Sequence, residues 1–405
     1  MSSKQDAAAI GLMLDPLDTL FFRDGRPFGA GTRASGGLPN PQTLAGALRT
    51  ALLAHNGFDF AKFASLCRSA GSGARKCRNE HASQGSALEN ALREAGAPSW
   101  VVRARFRGPW LALFDSDDAA QPLLPTPWTL FRDGDRAAGE RWSRADPLEK
   151  CELPGWSPPA DAMLPLWHSG SPDAKRPGGF LTPDGIKRFL AGGEPADEHW
   201  LREDELFGFD PRTGIAVDAD TFTAAEHMLY TISLLALKPK IDSQRAEFAD
   251  RRIGFYCELI VSAESEPNAQ AALPDLVPFG GEGRYVRSTK IKTYDWKTLS
   301  AETNRESSRA MWLLATPGLF QDGDGKSTWR PNVGSAQLVA AASPNPIAVS
   351  GWDVARCGPK PTRFGVPAGS VYYTEGIESF PHESMCHDPE DVAQGWGFAL
   401  KGVWK

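Results

Sequence analysis

The sequence predicts an α+β protein made of two β-α-β-β-α-β units with antiparallel sheets and additional insertions. Strand-like and helix-like segments alternate, and the order strand–helix–strand recurs in both halves of the 405-residue chain. Hydrophobic residues make up 41% of the chain, which is enough to bury a core. The chain also contains 40 glycines and 32 prolines, a content that favours many loops and short elements over long helices.

The first half begins with a strand and a capped helix. Ile10–Phe22 is largely apolar and predicts the first strand. Asn40 and Pro41 begin a helix, because asparagine caps exposed N–H groups and proline is tolerated at the first helical position. Gly46 lies inside this helix, so we expect either another backbone or a ligand to pack against it. Leucines recur every four residues and form the predicted buried face: Leu44, Leu48 and Leu52.

Further strands are predicted along the chain. Trp100–Phe114 indicates a strand or a hairpin, and Phe207–Asp218 indicates two strands paired around a turn at Asp210–Gly214. Met228–Leu237 is another strand, and Ile253–Ser262 opens the second half. Later strands are Ala310–Thr316, Ala336–Ala342 and Gly369–Thr374.

A short basic segment that contains a proline predicts the boundary between two structural units. We place the boundary at Lys238–Lys240, which gives an N-terminal unit of residues 1–238 and a C-terminal unit of residues 239–405 that ends in a glycine-rich loop. The N-terminal unit contains insertions at about 55–98 and 115–205, where the periodicity is weak.

Charge and composition exclude several classes of protein. The formal net charge is −6, which argues against a non-specific nucleic-acid coat protein but not against a local basic groove. No apolar run reaches the roughly 18–20 residues that span a bilayer. The N-terminus lacks a signal-peptide pattern, and the six cysteines are scattered. We therefore expect a cytoplasmic protein with reduced thiols and no membrane partner.

Metal binding is weakly indicated at two places. Cys67, Cys77 and His81 lie close in sequence, but they lack the tight Cys-x-x-Cys spacing of a zinc site. Their assignment as zinc ligands or as ordinary loop residues stays open. The second group consists of His382, Cys386 and His387. The sequence predicts no cofactor and no metal.

Catalytic motifs are not matched. Gly325-Lys326-Ser327 resembles the end of a P-loop, but Phe320 occupies the position that requires glycine. His55, at the end of the first helix, could act as a base in RNA cleavage or could complement the helix dipole. We therefore expect a protein that is not an enzyme.

Basic and glycine-rich segments indicate anion binding. Arg23 and Arg26 flank a tight turn after the first strand, and arginine binds phosphate well. A three-arginine stripe alternates with apolar residues, so a strand would place all three on one face: Arg103, Arg105 and Arg107. Three further glycines form a loop whose N–H groups could approach a phosphate: Gly395, Gly397 and Gly402. Other basic residues lie near glycines or aromatic residues: Arg49, Arg284, Arg287, Lys290, Lys292, Arg356, Lys360 and Arg363.

Several segments resemble CRISPR-associated RAMP proteins, in particular the family of the third subunit of the type III-B Cmr effector complex. The resemblance runs nearly end to end, and the joint order of its segments is more specific than any one of them. The segments are Leu14–Phe28, Leu38–Arg49, Arg212–Ala216, Phe279–Arg284, Leu313–Pro317, Gly351–Asp353, Gly365–Tyr372 and Gly395–Gly402.

This resemblance implies a fold and a function. The fold would be two ferredoxin-like (RRM-like) domains. The protein would be a non-catalytic subunit that binds the 5′ handle of the CRISPR RNA, contacts the target RNA only indirectly, and bridges a Cas10-type large subunit to the Cmr backbone subunit. Relatives insert a hairpin between guide and target bases, for which we consider residues 99–114 or the insertion before them. The alternatives are a metal-independent RAMP endoribonuclease that processes CRISPR RNA and a protein adaptor without RNA contact.

Overall fold

The computed structural model describes residues 7–23, 25, 33–34, 36–70, 85–134, 141–148, 163–218, 220–239, 241, 248, 251–299, 308–353, 358–377 and 379–404. The helices in this part of the chain are α1 (Pro41–His55), α2 (Phe60–Ala70), α3 (Gly85–Glu94), α4 (Ser99–Arg103), α5 (Pro183–Leu190), α6 (Glu203–Leu206), α7 (Glu266–Ala272) and α8 (Pro389–Gln394). Short 3₁₀ turns lie at Asp197–His199, Ala263–Ser265, Trp296–Leu299 and Pro381–Glu383.

The strands are short and numerous, as the content of glycine and proline predicts. In the first half they are β1 (Ala7–Pro16), β2 (Arg33–Ala34), β3 (Arg105–Phe114), β4 (Ala120–Pro122), β5 (Leu124–Pro125), β6 (Leu130–Asp133), β7 (Arg141–Pro147), β8 (Leu166–His168), β9 (Phe180–Leu181), β10 (Trp200–Leu201), β11 (Phe207–Val217) and β12 (Ala224–Leu237). In the second half they are β13 (Arg252–Ser262), β14 (Leu276–Pro278), β15 (Tyr285–Ile291), β16 (Arg309–Leu314), β17 (Phe320–Gln321), β18 (Ser327–Thr328), β19 (Gln337–Ala342), β20 (Ile347–Val349), β21 (Trp352–Asp353), β22 (Gly358–Pro359), β23 (Arg363–Gly365), β24 (Val371–Glu375) and β25 (Ala399–Gly402).

The largest sheet has six strands in the order β14–β15–β1–β13–β3–β4, and every neighbouring pair is antiparallel. Helix α1 follows β1 in the chain, and α7 follows β13. If β1, β3, β13 and β15 are numbered by chain order, they lie side by side as 4-1-3-2. The predicted division between residues 238 and 239 stays a prediction, but β13 and β15 follow it and pair with β1.

A second antiparallel sheet has four strands in the order β19–β24–β16–β25. Numbered by chain order, these strands read 2-3-1-4, which is the same arrangement seen from the other side. The connection before β25 contains α8, while the connection between β16 and β19 contains the β17–β18 hairpin. Helices and antiparallel sheets together confirm the predicted α+β class.

Two cores hold the sheets in place. On one face of the large sheet, Leu12 and Leu14 of β1 pack with Leu44 and Leu48 of α1, all of them fully buried. The other face meets the second sheet in a shared core that contains these buried side chains: Met13, Trp110, Tyr256, Leu313, Tyr373 and Phe398. The large sheet is therefore covered on both sides, and α1 lies on the side away from the second sheet.

Helix α1 begins as the sequence predicts. Asn40 accepts a hydrogen bond from the Thr43 N–H at 2.9 Å, and Pro41 takes the first helical position. The three leucines predicted to be buried are fully buried. Gly46, in contrast, lies on the exposed side, and no atom lies within 4 Å of a Cβ placed on it.

Two strand predictions are wrong. Phe207–Asp218 does not turn back at Asp210–Gly214: β11 runs straight through this segment and pairs with β12. Trp100–Phe114 is not one strand, because α4 occupies Ser99–Arg103 and β3 begins only at Arg105. Alternating apolar residues do not distinguish a short helix from a strand over so few positions.

Candidate nucleic-acid interface

The glycine-rich loop near the C-terminus is buried. Gly395 and Gly397 have positive φ angles of 95° and 72°, which glycine adopts without strain. A Cβ on Gly395 would lie 2.6 Å from the Phe106 carbonyl oxygen, and one on Gly397 would lie 2.6 Å from the Cys386 Sγ. A Cβ on Gly402 would lie 2.9 Å from a main-chain oxygen of α5. Close packing inside the protein therefore explains all three glycines.

The N–H groups of this loop already have acceptors. The Gly397 N–H donates to the Pro317 carbonyl at 2.7 Å, and the Phe398 N–H donates to the Thr316 Oγ1 at 2.9 Å. The Gly395 N–H donates to a carbonyl within α8. A phosphate would have to displace these bonds, so the geometry does not favour the loop as a phosphate site.

The predicted three-arginine stripe is divided by the end of α4. Arg103 is the last residue of that helix and is exposed, whereas Arg105 and Arg107 lie on β3. The Arg105 guanidinium lies 2.8 Å from the His382 Nδ1. Arg107 pairs with Glu383 and also lies over the Phe398 ring, 4.7 Å from its centre. The two strand arginines therefore contact the 3₁₀ turn at Pro381–Glu383.

Behind Arg107 lies a buried carboxylate, Glu258, whose side chain is 1% exposed. Its Oε2 lies 3.5 Å from the Arg107 Nη1, and its Oε1 accepts hydrogen bonds from the Tyr256 hydroxyl at 2.8 Å and from the Trp296 Nε1 at 2.7 Å. Burial raises the pKa of Glu258, although Arg107 and the two hydrogen bonds oppose this effect. We call these residues, with Glu383, the Arg107 network.

The 3₁₀ turn at Pro381–Glu383 has an uncommon backbone. His382 and Glu383 have φ angles of 54° and 59°, a region that non-glycine residues rarely occupy. Each such residue costs on the order of 1 kcal/mol or more unless the surroundings hold it. Their contacts with Arg105 and Arg107 supply that support, so the arginines hold this turn against β3.

Two more predicted cations are engaged inside the protein. Arg49 is half-buried, donates to the Ala104 carbonyl at 3.3 Å, and has a pKa lowered by burial. Arg363 forms two hydrogen bonds of 2.8 Å to the buried carboxylate of Asp391. The main-chain N–H of Lys360 donates to the Gly351 carbonyl, and its side chain is half-buried.

The cations on and beside β15 are more exposed. Arg287, Lys290 and Lys292 are exposed, and the Lys290 Nζ donates to the Gln270 carbonyl at 3.0 Å. Arg287 and Lys290 border a cavity of about 570 Å³. Arg284 precedes the strand and pairs with the exposed Asp18 at 2.6 Å. We call Arg287, Lys290 and Lys292 the β15 cations.

Arg23 is exposed and borders a groove of about 920 Å³. One wall of this groove is α1, and we call it the α1 groove. Arg26 and Arg356, also predicted to bind an anion, lie outside the described residues. Side chains that line the groove and were absent from the predicted site include Leu38, Leu276 and Trp352. Their exposure follows from tertiary packing and has no signal in the sequence.

A long hairpin of β11 and β12 carries exposed apolar side chains. Near its base Leu20 bridges Leu235, whereas Ile215, Val217 and Phe222 toward its end are 52%, 58% and 83% exposed. The connecting turn is organised by Asp218, whose carboxylate accepts hydrogen bonds from main-chain and side-chain groups of the turn. These hydrogen bonds lower the pKa of Asp218.

The part of the chain that the structure describes contains no group of three or more His, Cys, Asp or Glu residues that could hold a metal. Cys67 is half-buried on α2, and Cys77 and His81 lie outside the described residues. Cys386 is buried and accepts a hydrogen bond from the Leu319 N–H, and the His387 Nε2 lies 2.7 Å from the Asn332 carbonyl oxygen. Within the described ranges, none of the helices is long and apolar enough to cross a membrane.

Two antiparallel sheets, a shared core and exposed cationic and aromatic surfaces define a mixed α+β protein with open grooves. The chain belongs to the CRISPR-associated protein family Cas_Cmr3, whose family model matches residues 12–404. This match confirms the family resemblance found in the sequence. No curated protein matches the chain.

Two solved structures contain chains that are similar to this one at low identity. One is the cryo-EM structure of the type III-B Cmr-beta bound to cognate target RNA and AMPPnP, state 1, with a TM-score of 0.46 and 17% identity over 90% of this chain and 86% of that chain. The other is the cryo-EM structure of the type III-B Cmr-beta bound to cognate target RNA, with a TM-score of 0.46 and 18% identity over the same shares of the two chains.

Proposed function

We propose that this protein is a non-catalytic subunit of a type III-B Cmr effector complex and binds the 5′ handle of the CRISPR RNA. Membership in the Cas_Cmr3 family supports the assignment to such a complex. The observation that carries RNA binding is the exposure of Arg23 and the β15 cations on a chain whose net charge is −6. Local positive charge on an acidic protein favours a defined RNA path over non-specific binding.

The strand orders support a proposal of two ferredoxin-like domains. The 4-1-3-2 arrangement recurs in both large sheets, and each has a helix in its third connection, α7 and α8. Because β13 and β15 pair with β1, we place the boundary between Ile291 and Arg309. In this proposal one domain faces a Cas10-type large subunit and the other faces the Cmr backbone subunit, with target RNA contacted only indirectly.

The β11–β12 hairpin fits the inserting element that the family resemblance implies. Residues 105–114 form β3, which lies inside the six-stranded sheet between β13 and β4, so they are unable to extend away from the protein. The hairpin, in contrast, carries an exposed phenylalanine, Phe222, at its turn. We therefore assign the inserting role to β11 and β12.

The test is crosslinking of the assembled complex to CRISPR RNA, followed by identification of the peptides attached to the handle. We expect crosslinks in the peptides of Arg23 and of β15. The proposal fails if the handle crosslinks only to other subunits. Replacing Arg287 and Lys290 with alanine should release handle RNA at lower salt than in the wild type, because two phosphate contacts are lost.

One observation favours a second candidate, the metal-independent endoribonuclease. His55 lines the α1 groove together with Arg23, so a base and a cation lie along one cavity. Incubation of the purified protein with repeat RNA in EDTA distinguishes the two functions. Cleavage that disappears in His55→Ala would establish the enzyme, and intact RNA that stays bound would support the non-catalytic subunit.

A further inference from the structure

The 3₁₀ turn at Pro381–Glu383 contacts β3 through a histidine whose protonation state follows from the geometry. The Arg105 Nη1 lies 2.8 Å from the His382 Nδ1. A guanidinium has N–H donors and no acceptor, so the Nδ1 is the acceptor of this hydrogen bond and carries no proton. The ring is therefore neutral in this contact, with its proton on Nε2. We call the pair Arg105 and His382 the histidine contact.

A second histidine nearby in the chain is bonded in the opposite sense. The His387 Nε2 lies 2.7 Å from the Asn332 carbonyl oxygen. A carbonyl oxygen only accepts, so this nitrogen carries a proton and donates it to the hydrogen bond. A proton added to the other ring nitrogen leaves that N–H in place. The His387 hydrogen bond is therefore kept in both charge states of the ring, whereas the histidine contact exists only in the neutral state.

The charges around His382 also oppose a proton on its ring. Strand β3 presents Arg105 and Arg107, and the neighbouring Glu383 carboxylate is paired with Arg107. The buried Glu258 of β13 faces Arg107 as well. Burial and the two arginines lower the pKa of His382. The other described residues that border this contact carry no titratable group: Phe106, Ile260, Ser384, Val392, Gly395, Trp396 and Phe398.

The backbone of the turn favours release once the histidine contact is lost. His382 and Glu383 both have positive φ angles, which residues other than glycine adopt at a cost in free energy. The chain after the turn is fixed, because Ser384 is buried and its Oγ donates to the Trp396 carbonyl at 2.7 Å. Release is therefore confined to Pro381–Glu383.

We propose that this turn is an acid-sensitive contact, which is closed on β3 while His382 is neutral and opens when the ring takes up a proton. A protonated ring has two N–H donors, so its Nδ1 would face a donor of Arg105 and a second cation in Arg107. The opened turn exposes the Arg105 guanidinium and so adds positive charge to the surface of β3. This behaviour does not depend on the proposed function.

The direction of the pH dependence follows from the pKa of His382. In the closed turn this pKa lies below the ordinary value of 6.5, which the ring regains in the open turn. The open turn therefore binds the proton more tightly, so the closed turn is fully stabilised above pH 6.5 and loses stability as the pH falls. Because one proton is involved, the equilibrium constant for opening should rise by up to about tenfold per pH unit until the pKa of the closed turn is reached.

Hydrogen exchange of the full-length protein measures this opening. The amides of Glu383 and Ser384 donate within the turn, to the carbonyls of Phe380 and Pro381. Their protection factors, corrected for the intrinsic effect of pH on exchange, should fall by up to about tenfold between about pH 6.5 and about pH 5.5. The amides of β16, an inner strand of the second sheet, are the internal reference and should keep their protection.

Variants at the two histidines separate the local contact from a general effect of acid. His382→Asn supplies a carboxamide oxygen as acceptor and tolerates a positive φ, so its turn should stay closed at every pH tested. His382→Lys places a permanent cation beside the arginines and should open the turn at neutral pH. The matched control is His387→Asn, which leaves the histidine contact intact and should keep the pH dependence of the wild type.

A nuclear magnetic resonance titration of the histidine rings gives the second measurement, with the His382 signal assigned by its loss in His382→Asn. Arg105→Gln both donates and accepts, so it should raise the pKa of His382 toward 6.5. Wild-type protection that does not change with pH, or that falls equally in His382→Asn, would overturn the proposal. Loss of protection in β16 together with the turn would also overturn it, since the acid response would then be global unfolding.

Discussion

Two cationic regions that look alike in sequence behave differently in the structure. Around β3, Arg105 and Arg107 contact the turn at Pro381–Glu383, and Arg107 also faces a buried glutamate. Around β15, Arg287 and Lys292 remain exposed. The difference lies in the partners that the fold brings from distant parts of the chain. An alternating run of arginines therefore does not reveal where a strand begins or whether its face meets solvent or protein.

The two regions are therefore expected to have different roles. The Arg107 network joins β3 and β13 to the turn at Pro381–Glu383 and so contributes to stability. In the proposed function, the exposed β15 cations contribute to long-range attraction of RNA. Substitutions in the first region should therefore change the free energy of unfolding, and substitutions in the second should change RNA binding.

The largest effect is expected from Arg107→Met. Removing this guanidinium leaves Glu258 buried without its cation, and breaking such a pair costs about 3 kcal/mol, the low end of the range for fully buried pairs because Arg107 is 20% exposed. Urea unfolding measures the change. The control Arg287→Met removes an exposed arginine and should alter the free energy of unfolding by less than about 0.5 kcal/mol. Equal effects of the two variants would contradict the comparison.

The next largest effect is expected on RNA binding and its dependence on salt. The double variant Arg287→Ala with Lys290→Ala should reduce the slope of log Kd against log salt by about 1.4, because two phosphate contacts are lost. The matched control replaces Lys187 and Arg188, two exposed cations on α5, and should leave that slope unchanged. A control that lowers the slope equally would show that net charge alone drives binding.

A third prediction tests Glu258 through the pH dependence of the free energy of unfolding. Burial raises its pKa above the ordinary value of 4.5, so the folded protein holds this proton more tightly than the unfolded chain. The resulting stabilisation is present below pH 4.5 and is lost as the pH rises through the raised pKa. The Glu258→Gln variant has no titrating group at this position. The difference between its free energy of unfolding and that of the wild type should therefore increase as the pH rises from 4.5 through the raised pKa. Urea unfolding at a series of pH values tests this, and parallel curves would exclude it.

The smallest effect is expected at Gly46. Gly46→Ala should raise the free energy of unfolding by about 0.5–1 kcal/mol, since the position is helical and open. Urea unfolding at neutral pH measures it, with Gly402→Ala as the contrast. A Cβ at Gly402 would meet main-chain atoms of α5, so this change should destabilise the protein.

The sequence predicts local features of this fold well and tertiary partners poorly. The cap of α1 depends on neighbouring residues and is correct at Asn40 and Pro41. The strand turn at Asp210–Gly214 was wrong, because Pro211 lies within β11 although proline and glycine usually mark turns. Hydrogen bonding with β12 overrides that local preference.

At the candidate site, too, the sequence does not reveal which residues become tertiary partners. Gly395, Gly397 and Gly402 predicted a loop whose N–H groups approach a phosphate, but the groups that lie close to these glycines belong to the protein itself. Trp352 gives no signal in the sequence that separates it from core aromatic residues such as Trp396, which is fully buried. Exposure of an aromatic ring depends on contacts across hundreds of residues.

The pairing of β1 with β13 has a consequence for synthesis of the protein. Pro16 leaves the ribosome long before Arg252 does, and at roughly 5–20 residues per second the first strand waits tens of seconds for its partner. During that interval an apolar segment of the nascent chain has no sheet to join. We therefore expect the first strand to be prone to aggregation until more than half of the polypeptide has been translated.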